Sequence, residues 1–189
     1  MKNVLAVDFA ARFSAGCVMN AKGGILEEFD SWGQTSFAFI SEIIRVAIKY
    51  DVDAIFIEDV PYGLSKQFMI KPVLRLQGVL IHALHLGGLL EKTLFLNPST
   101  WQRAFEGVWK GKAVGALKAA EVLGYTPPDM LTLHKKDVPA HGKERAKVRA
   151  QLKKASTDYV DAFLMAKYVF SFASLEDMRG KPGMQEPSI

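Results

Sequence analysis

Two short apolar runs in this sequence each end in a carboxylate. Residues 4–7 (Val-Leu-Ala-Val) lead into Asp8, and residues 54–57 (Ala-Ile-Phe-Ile) lead into Glu58. Fully apolar runs of this length are typical of strands that are buried on both faces of a sheet. A carboxylate at the end of such a strand costs free energy unless it has a partner. We therefore expect a covered sheet with acids at one edge.

Strand-like segments dominate the first part of the chain, and helical segments dominate the rest. Consecutive strands joined by tight turns pair antiparallel, whereas strands separated by helices pair parallel. The sequence thus predicts an α/β fold: a mixed five-stranded sheet whose first three strands are antiparallel, with helices on both faces. Strands are predicted over residues 3–9, 15–20, 25–29, 54–59 and 93–96. Helices are predicted over 35–50, 67–90, 97–105, 116–123 and 143–154, and from Ser156 or Thr157 to about 170.

Asp158 and Asp161 add a second pair of acids near the start of the last predicted helix. Residues three apart are neighbours on one helical face, so both carboxylates can meet the sheet edge that carries Asp8 and Glu58. Four converging carboxylates repel one another unless cations neutralise them, and Mg²⁺ suits carboxylate and water ligands. Two such ions can activate water against a phosphodiester, so the pattern favours nuclease chemistry.

Each acid also has a simpler explanation. Asp8 could begin a turn, and Asp59 could be the functional acid in place of Glu58. Asp158 and Asp161 could complement a helix dipole in a first turn. The ordered set of four argues for a shared site, because each simple explanation covers only one or two of them.

Length and composition favour one soluble domain. The 189 residues fit a single domain over residues 1–177, and the Pro-, Gly- and charge-rich residues 178–189 read as a disordered tail. No apolar run approaches the about 20 residues of a membrane span, so no membrane partner is expected. A lone cysteine, Cys17, excludes an internal disulfide and a thiolate metal cluster. With no signal-peptide pattern, the expected location is cytoplasmic.

The positive charge is concentrated in one segment. Residues 134–154 hold eight basic and two acidic residues, a net charge of +6, whereas the whole chain carries +4. The rest of the chain is therefore mildly acidic, at −2. Such a distribution indicates a polyanionic partner. A solvated charged helix explains this segment equally well.

The ordered motifs resemble the RuvC-like Holliday junction resolvases of the RNase H-like superfamily. The similarity rests on three motifs: residues 4–8, Phe56-Ile57-Glu58, and the Asp-x-x-Asp-Ala pattern of residues 158–166. Residues 74–78 and 97–101 match the family's long helix and its strand-to-helix step, so the resemblance covers roughly residues 3–170. It implies that Asp8, Glu58, Asp158 and Asp161 bind two Mg²⁺ ions (or Mn²⁺) and catalyse cleavage. It also implies a homodimer acting on four-way DNA junctions.

The sequence departs from that family in two places. The glycine that usually follows the first Asp is absent, and residues 9–12 read Phe-Ala-Ala-Arg instead. The segment of residues 125–150 is long relative to the bacterial enzymes, and its basic content suggests an altered DNA-binding surface. Divergence of this kind is typical of phage-type members, so the expected setting is a bacterial cell or a phage-infected host. The expected substrate widens to branched DNA, including forks and flaps.

Basic and aromatic residues around the predicted cleft are candidates for DNA contact. Such a mixture can hold phosphates and stack on unpaired bases, although each residue could equally lie on an ordinary surface or in the core. The candidates are Arg12, Tyr62, Lys66, Phe68, Lys71, Lys110, Lys112, Lys143, Arg145, Lys147 and Arg149.

Three functional hypotheses follow. The first is a Mg²⁺-dependent, structure-selective DNA endonuclease that cleaves Holliday junctions or other branched DNA, including a broader flap or replication-fork nuclease. The second is a non-catalytic branched-DNA-binding protein of the same fold, which would gain from losing acids beside phosphates. The third is an actin-like phosphotransferase, which needs a Gly-rich turn after the first Asp that residues 9–12 do not supply.

Overall fold

The computed structural model describes residues 1–10, 13–59, 67–105, 113–172 and 174–187, with the backbone alone described for residues 67–70 and 113–115. Among these residues, no helix has both the length and the apolar character needed to cross a membrane.

A mixed sheet forms the centre of the molecule. Its spatial order is β3-β2-β1-β4-β5-β6. The first three strands pair antiparallel, β4 lies parallel to both β1 and β5, and β6 is antiparallel to β5. The predicted α/β fold and its antiparallel first three strands are thereby confirmed. The strands are β1 (Asn3–Asp8), β2 (Ala15–Asn20), β3 (Ile25–Asp30), β4 (Ala54–Glu58), β5 (Thr93–Leu96) and β6 (Met184–Gln185).

Within the described residues the sheet has six strands, so the predicted count of five is wrong. The sixth strand comes from the tail for which the sequence predicted disorder. Met184 pairs with Leu96, and the backbone N–H of Asn97 donates to the Gly183 carbonyl at 2.9 Å. Met178 and Met184 are both buried, which anchors this segment against the core. The Pro- and Gly-rich composition of this segment predicted disorder, because the strand forms only by pairing with β5, almost 90 positions earlier in the sequence.

Helices cover both faces of the sheet, as predicted. The Thr35 hydroxyl caps the first helix by accepting from the Ala38 N–H at 3.2 Å. The Asn97 side chain caps the third helix by accepting from the Ser99 N–H at 3.0 Å, with Pro98 at the first helical position. The helices are α1 (Ser36–Lys49), α2 (Gln67–Leu86), α3 (Pro98–Arg103), α4 (Ala113–Val122), α5 (Met130–Leu133) and α6 (Lys143–Val169).

The last helix differs from the prediction of two helices separated near Ser156. α6 runs unbroken for 27 residues. The Ser156 hydroxyl donates to the carbonyls of Leu152, at 3.4 Å, and Pro128, at 3.1 Å, so this residue is satisfied inside a continuing helix and does not cap a new one. Asp158 and Asp161 therefore lie in the second half of α6. The helix-dipole explanation for these acids fails, because no helix begins there.

Strand alternation divides the core into two main layers. Val4 and Ala6 of β1 face α6, whereas Leu5 and Val7 face α1 and α2. The same alternation holds in β4, where Phe56 faces α6. Continuing the period of two places Asp8 and Glu58 on the face covered by α6 and places Asp59 on the other face. A smaller cluster forms where Leu152, Ala155 and Tyr159 of α6 pack beside Ala15 and Met130.

Gly16 of β2 is predicted to tolerate a side chain poorly. A Cβ at this position would lie 2.3 Å from the Phe29 ring, which packs across it from β3. We expect Gly16→Ala to lower the free energy of unfolding by about 1–3 kcal/mol, the usual range for overpacking. The matched control is Gly78→Ala in α2, where a Cβ meets none of the described residues within 4 Å and added helix propensity should stabilise the protein slightly. Urea unfolding midpoints that fall equally in both variants would contradict the expectation.

Candidate active site

The ends of two adjacent parallel strands bring the first two acids together. β1 and β4 pair in the register Val7 to Ile57, so the next residues, Asp8 and Glu58, lie side by side. Both face α6 through the alternation described above. Asp59 is buried, and the strand alternation places it on the opposite face, so the carboxyl that lies beside Asp8 is that of Glu58.

α6 supplies the other two acids. Asp158 and Asp161 stand one turn apart on the part of the helix that packs against β1 and β2. Each of Asp8, Asp158 and Asp161 offers a carboxylate oxygen, and these atoms all lie within 4.8 Å of one another. The structure therefore brings together the three aspartates predicted from the sequence.

Glu58 joins the cluster through its hydrogen bond with the Asp8 carboxyl. Burial and the neighbouring acids raise the pKa of Glu58, and the interaction of its carboxyl with the buried Trp101 indole of α3 offsets a small part of that rise. All four predicted acids thus form one group, which we call the acid cluster: Asp8, Glu58, Asp158 and Asp161.

Burial raises the pKa values of all four carboxyls of the acid cluster, because it disfavours their charged forms. Desolvation, followed by repulsion from Asp8, raises the pKa values of Asp158 and Asp161 to about 8. Desolvation also raises the pKa of Asp8, and desolvation together with the Asp8 charge raises that of Glu58 well above its ordinary value. Without cations, the cluster keeps some of its protons near neutral pH.

The donor set fits hard divalent cations. The Asp161 Oδ1 atom is buried and has no hydrogen-bond partner among the described residues, although buried polar atoms are normally paired. Carboxylate oxygens are the preferred ligands of Mg²⁺ and Mn²⁺. Cys17 is buried in β2, and burial raises the pKa of its thiol. The thiol therefore stays protonated and is a poor metal ligand.

Lys154 is a residue of the site that the sequence prediction did not single out. It lies one turn before Asp158 on α6 and is exposed, and its charge offsets part of the rise that burial causes in the pKa values of Asp8, Asp158 and Asp161. The i, i+4 spacing from Asp158 was the signal that could have identified it.

The predicted basic contacts of α6 divide between two faces. Lys143 and Lys147 continue the stripe of Lys154, Asp158 and Asp161, because these residues are spaced by four, seven, four and three positions. Arg145 and Arg149 lie on the opposite side, where both line a pocket beside Val138. There the Arg145 Nη1 atom donates to the Ala140 carbonyl at 2.7 Å.

The other predicted DNA contacts are placed only in part. Arg12, Tyr62, Lys66, Lys110 and Lys112 lie outside the described residues. The side chain of Phe68 is also outside them, although its backbone belongs to α2. Lys71 is exposed on α2.

A pocket that the sequence did not indicate adjoins the acid cluster. It has a volume of ≈ 470 Å³ and is lined by Asp158 and Lys154 on one side and by Phe13 and Trp32 on the other. Its two aromatic residues come from loops that are separate in the sequence, so no local pattern marks them.

Two solved structures share this architecture. "T. thermophilus RuvC in complex with Holliday junction substrate" matches with a TM-score of 0.53 and 13% sequence identity, over 88% of this chain and 96% of that chain. The fold is that of RuvC. A second structure, "Thermus thermophilus RuvC structure", matches with a TM-score of 0.50 and 15% identity, over 89% of this chain and 97% of that chain. No family model and no curated protein matches the sequence. At this identity the likeness establishes the RuvC-like fold, and function has to be argued from the site.

Proposed function

We propose that this protein is a metal-dependent, structure-selective DNA endonuclease that cleaves Holliday junctions or other branched DNA. The observation that carries the proposal is the acid cluster. Carboxylate oxygens of Asp8, Asp158 and Asp161 lie within 4.8 Å of one another, and the Glu58 carboxyl is hydrogen-bonded to that of Asp8. A RuvC of the same fold has been solved with a Holliday junction substrate, which supports branched DNA as the partner.

The four acids would hold two Mg²⁺ ions, with Mn²⁺ as the alternative. When bound, such ions supply neutralising charge, an activated water and stabilisation of the leaving oxygen. The chain itself supplies rigid placement, because Asp8 and Glu58 end paired strands and Asp158 and Asp161 lie on a packed helix. Sites built on strands and helices hold their geometry better than sites built on loops.

Lys154 is suited to hold a phosphate beside the acid cluster. Its ammonium lies at the exposed edge of the site, on the same helical face as Asp158. A phosphate that approaches the acid cluster from solvent would pass the exposed Lys154 ammonium, because the carboxylates are more deeply buried. Lys154 would therefore offset the repulsion between the DNA backbone and the acids.

The exposed lysines of α6 extend this path for DNA. Lys143, 15 residues before Asp158, lies about 22 Å from it along an α-helix that rises 1.5 Å per residue. That length corresponds to roughly six phosphates of one strand at 3.4 Å each. We therefore place the DNA backbone along the stripe formed by Lys143, Lys147 and Lys154.

The remaining features of the proposal rest on the resemblance. A homodimer would present two acid clusters to the two strands of a four-way junction that are cut. A phage-type origin fits the long basic segment of residues 125–150. Arg12, Tyr62, Lys66, Phe68, Lys71, Lys110 and Lys112 stay proposed DNA contacts. Arg145 and Arg149 do not, because they lie on the side of α6 away from Lys143 and Lys147.

The direct test is cleavage of a labelled four-way junction beside a flap and a linear duplex of the same arm sequence, with Mg²⁺ or EDTA. We expect Mg²⁺-dependent cutting of branched DNA at a rate well above that of the duplex. Preferential cutting of the flap would support the same metal-dependent cleavage and would identify the flap, and not the four-way junction, as the preferred branched substrate. Tight junction binding with no cutting in any metal would favour the non-catalytic hypothesis and overturn ours.

Different faces of α6 should respond differently to charge reversal. Replacing both Lys143 and Lys147 with Glu is expected to weaken junction binding and to reduce the salt slope of log K by about 0.9 for each DNA phosphate that the protein no longer neutralises. The matched control replaces Arg149 and Lys153, which have the same spacing but lie away from the lysine stripe, and should change the slope little. Equal slopes for both variants, measured between 50 and about 200 mM salt, would contradict a DNA path along the lysine stripe.

A further inference from the structure

The pocket beside the acid cluster has the size and chemistry of a nucleobase site. Its volume of ≈ 470 Å³ lies within the range of small-ligand pockets. Phe13 and Trp32 line it with partly exposed rings whose centroids are 6.2 Å apart. Gln151 adds an amide that can both donate and accept hydrogen bonds.

The Trp32 ring is held in place from both ends. Its backbone N–H donates to Asp30 Oδ1 at 2.6 Å, and its indole N–H donates to Asp137 Oδ2 at 3.2 Å. Asp30 in turn accepts from the Tyr159 hydroxyl at 2.5 Å, which ties the Trp32 loop to α6 at the residue after Asp158. A ring fixed in this way loses little conformational entropy when a ligand stacks on it.

Shared residues connect this pocket to the reaction site. Asp158 belongs to the acid cluster and also lines the pocket, and Lys154 stands at the boundary between the two. A strand whose phosphate lies at the acid cluster would therefore bring a neighbouring nucleotide to the pocket mouth. Aromatic rings bind unpaired bases of any sequence, because every base offers a π-face.

We propose that the Phe13–Trp32 pocket receives one unpaired nucleobase from the strand that is cut, next to the scissile phosphate. This inference rests on the proposed function and deepens it, since it assigns a source of selectivity for branched DNA. Moving a base out of its stack costs least when the base is already unpaired, whereas a base inside a duplex must first be unpaired. Linear duplex would thus reach the acid cluster without filling the pocket.

The test combines changes in the protein with changes in the DNA. A set of four-way junctions carries one abasic site each, at successive positions around the crossover. Their affinities are measured in Mg²⁺ for proteins that also carry Asp8→Asn, so that cleavage is slow during the measurement. The protein variants are Trp32→Leu and Phe13→Leu, which keep apolar bulk and remove a ring, and Trp32→Phe, which keeps a ring. Phe37→Leu is the control, because Phe37 is 65% exposed and lies outside the pocket.

We expect one abasic position to weaken binding by about 5- to 150-fold with Trp32 present, the effect of removing one base–aromatic stack. In Trp32→Leu, the abasic site at that position should no longer change the binding affinity. In Trp32→Phe and Phe37→Leu, it should still weaken binding. If no position couples to Trp32 or Phe13 while the wild-type protein still cuts junctions with Mg²⁺, the pocket is not a base site and the proposed function stands. If the wild-type protein neither binds nor cuts branched DNA, both are overturned.

Discussion

Asp8→Asn is expected to lower the rate of junction cleavage by at least about a hundredfold, the cost of removing one strong electrostatic group from a catalytic site. DNA binding should survive or tighten in the same variant, because one negative charge beside the phosphates is removed. Asp8 is the residue to change because its carboxyl contacts Glu58. One of its oxygens also lies within 4.8 Å of carboxylate oxygens of Asp158 and Asp161. The measurement is single-turnover cleavage together with equilibrium binding of the same labelled junction.

Asp51→Asn is the matched control for that experiment. The Asp51 side chain is 99% exposed, and its φ of 41° is one that asparagine tolerates well. This variant removes the same charge at a distance from the acid cluster and should cut DNA like the wild type. Loss of binding along with cleavage in Asp8→Asn, or equal loss of cleavage in Asp51→Asn, would contradict the assigned role of Asp8.

The metal-free protein is expected to lose stability as the pH rises from about 5.5 to 8.5. The pKa values of Asp158 and Asp161 are raised to about 8 by burial, whereas an unfolded Asp titrates near 3.9. Between these values the folded state binds more protons than the unfolded state, so the free energy of unfolding falls as protons leave. With roughly a few kcal/mol at stake, Tm in EDTA should drop by about 5–10 °C across this range.

Mg²⁺ should reverse that loss, because it binds the deprotonated carboxylates and neutralises them. Thermal unfolding measured in EDTA and in Mg²⁺ at each pH gives the comparison, and Asp158→Asn should flatten the EDTA curve. Glu27 does not interfere: burial acts to raise its pKa, but hydrogen bonds from Lys49 and Arg45 together outweigh burial and lower the pKa to about 2, so its contribution disappears only in acid. A Tm in EDTA that rises or stays level with pH would contradict the charge state assigned to the acid cluster.

The sequence predicted the acid cluster because its chemistry follows from local patterns. Apolar runs that end in Asp8 and Glu58 predict two buried strands, and parallel pairing then aligns their ends. Spacing alone places Asp158 and Asp161 on one helical face. The antiparallel pairing of the first three strands could be predicted for the same reason, since short connections leave few alternatives.

The features that the sequence did not predict depend on contacts between distant residues. Ser156 reads locally as a helix cap, yet packing against Pro128 and the sheet keeps α6 continuous. The β6 strand exists because β5 offers it an edge, and the Phe13–Trp32 pocket exists because two separate loops meet beside α6. The division of the basic residues between two faces of α6 could have been deduced from their spacing, once the helix was known to be unbroken.

The most direct test of the central claim is Mn²⁺ binding to the metal-free protein, followed by the electron paramagnetic resonance signal of the free ion. The acid cluster predicts that wild type and Asp51→Asn bind Mn²⁺ with equal affinity, that binding strengthens from about pH 6.5 to 8.5, and that Asp8→Asn weakens it at least about tenfold. Equal binding by all three proteins, or none by wild type at millimolar Mn²⁺, would show that these four carboxylates are not a metal site.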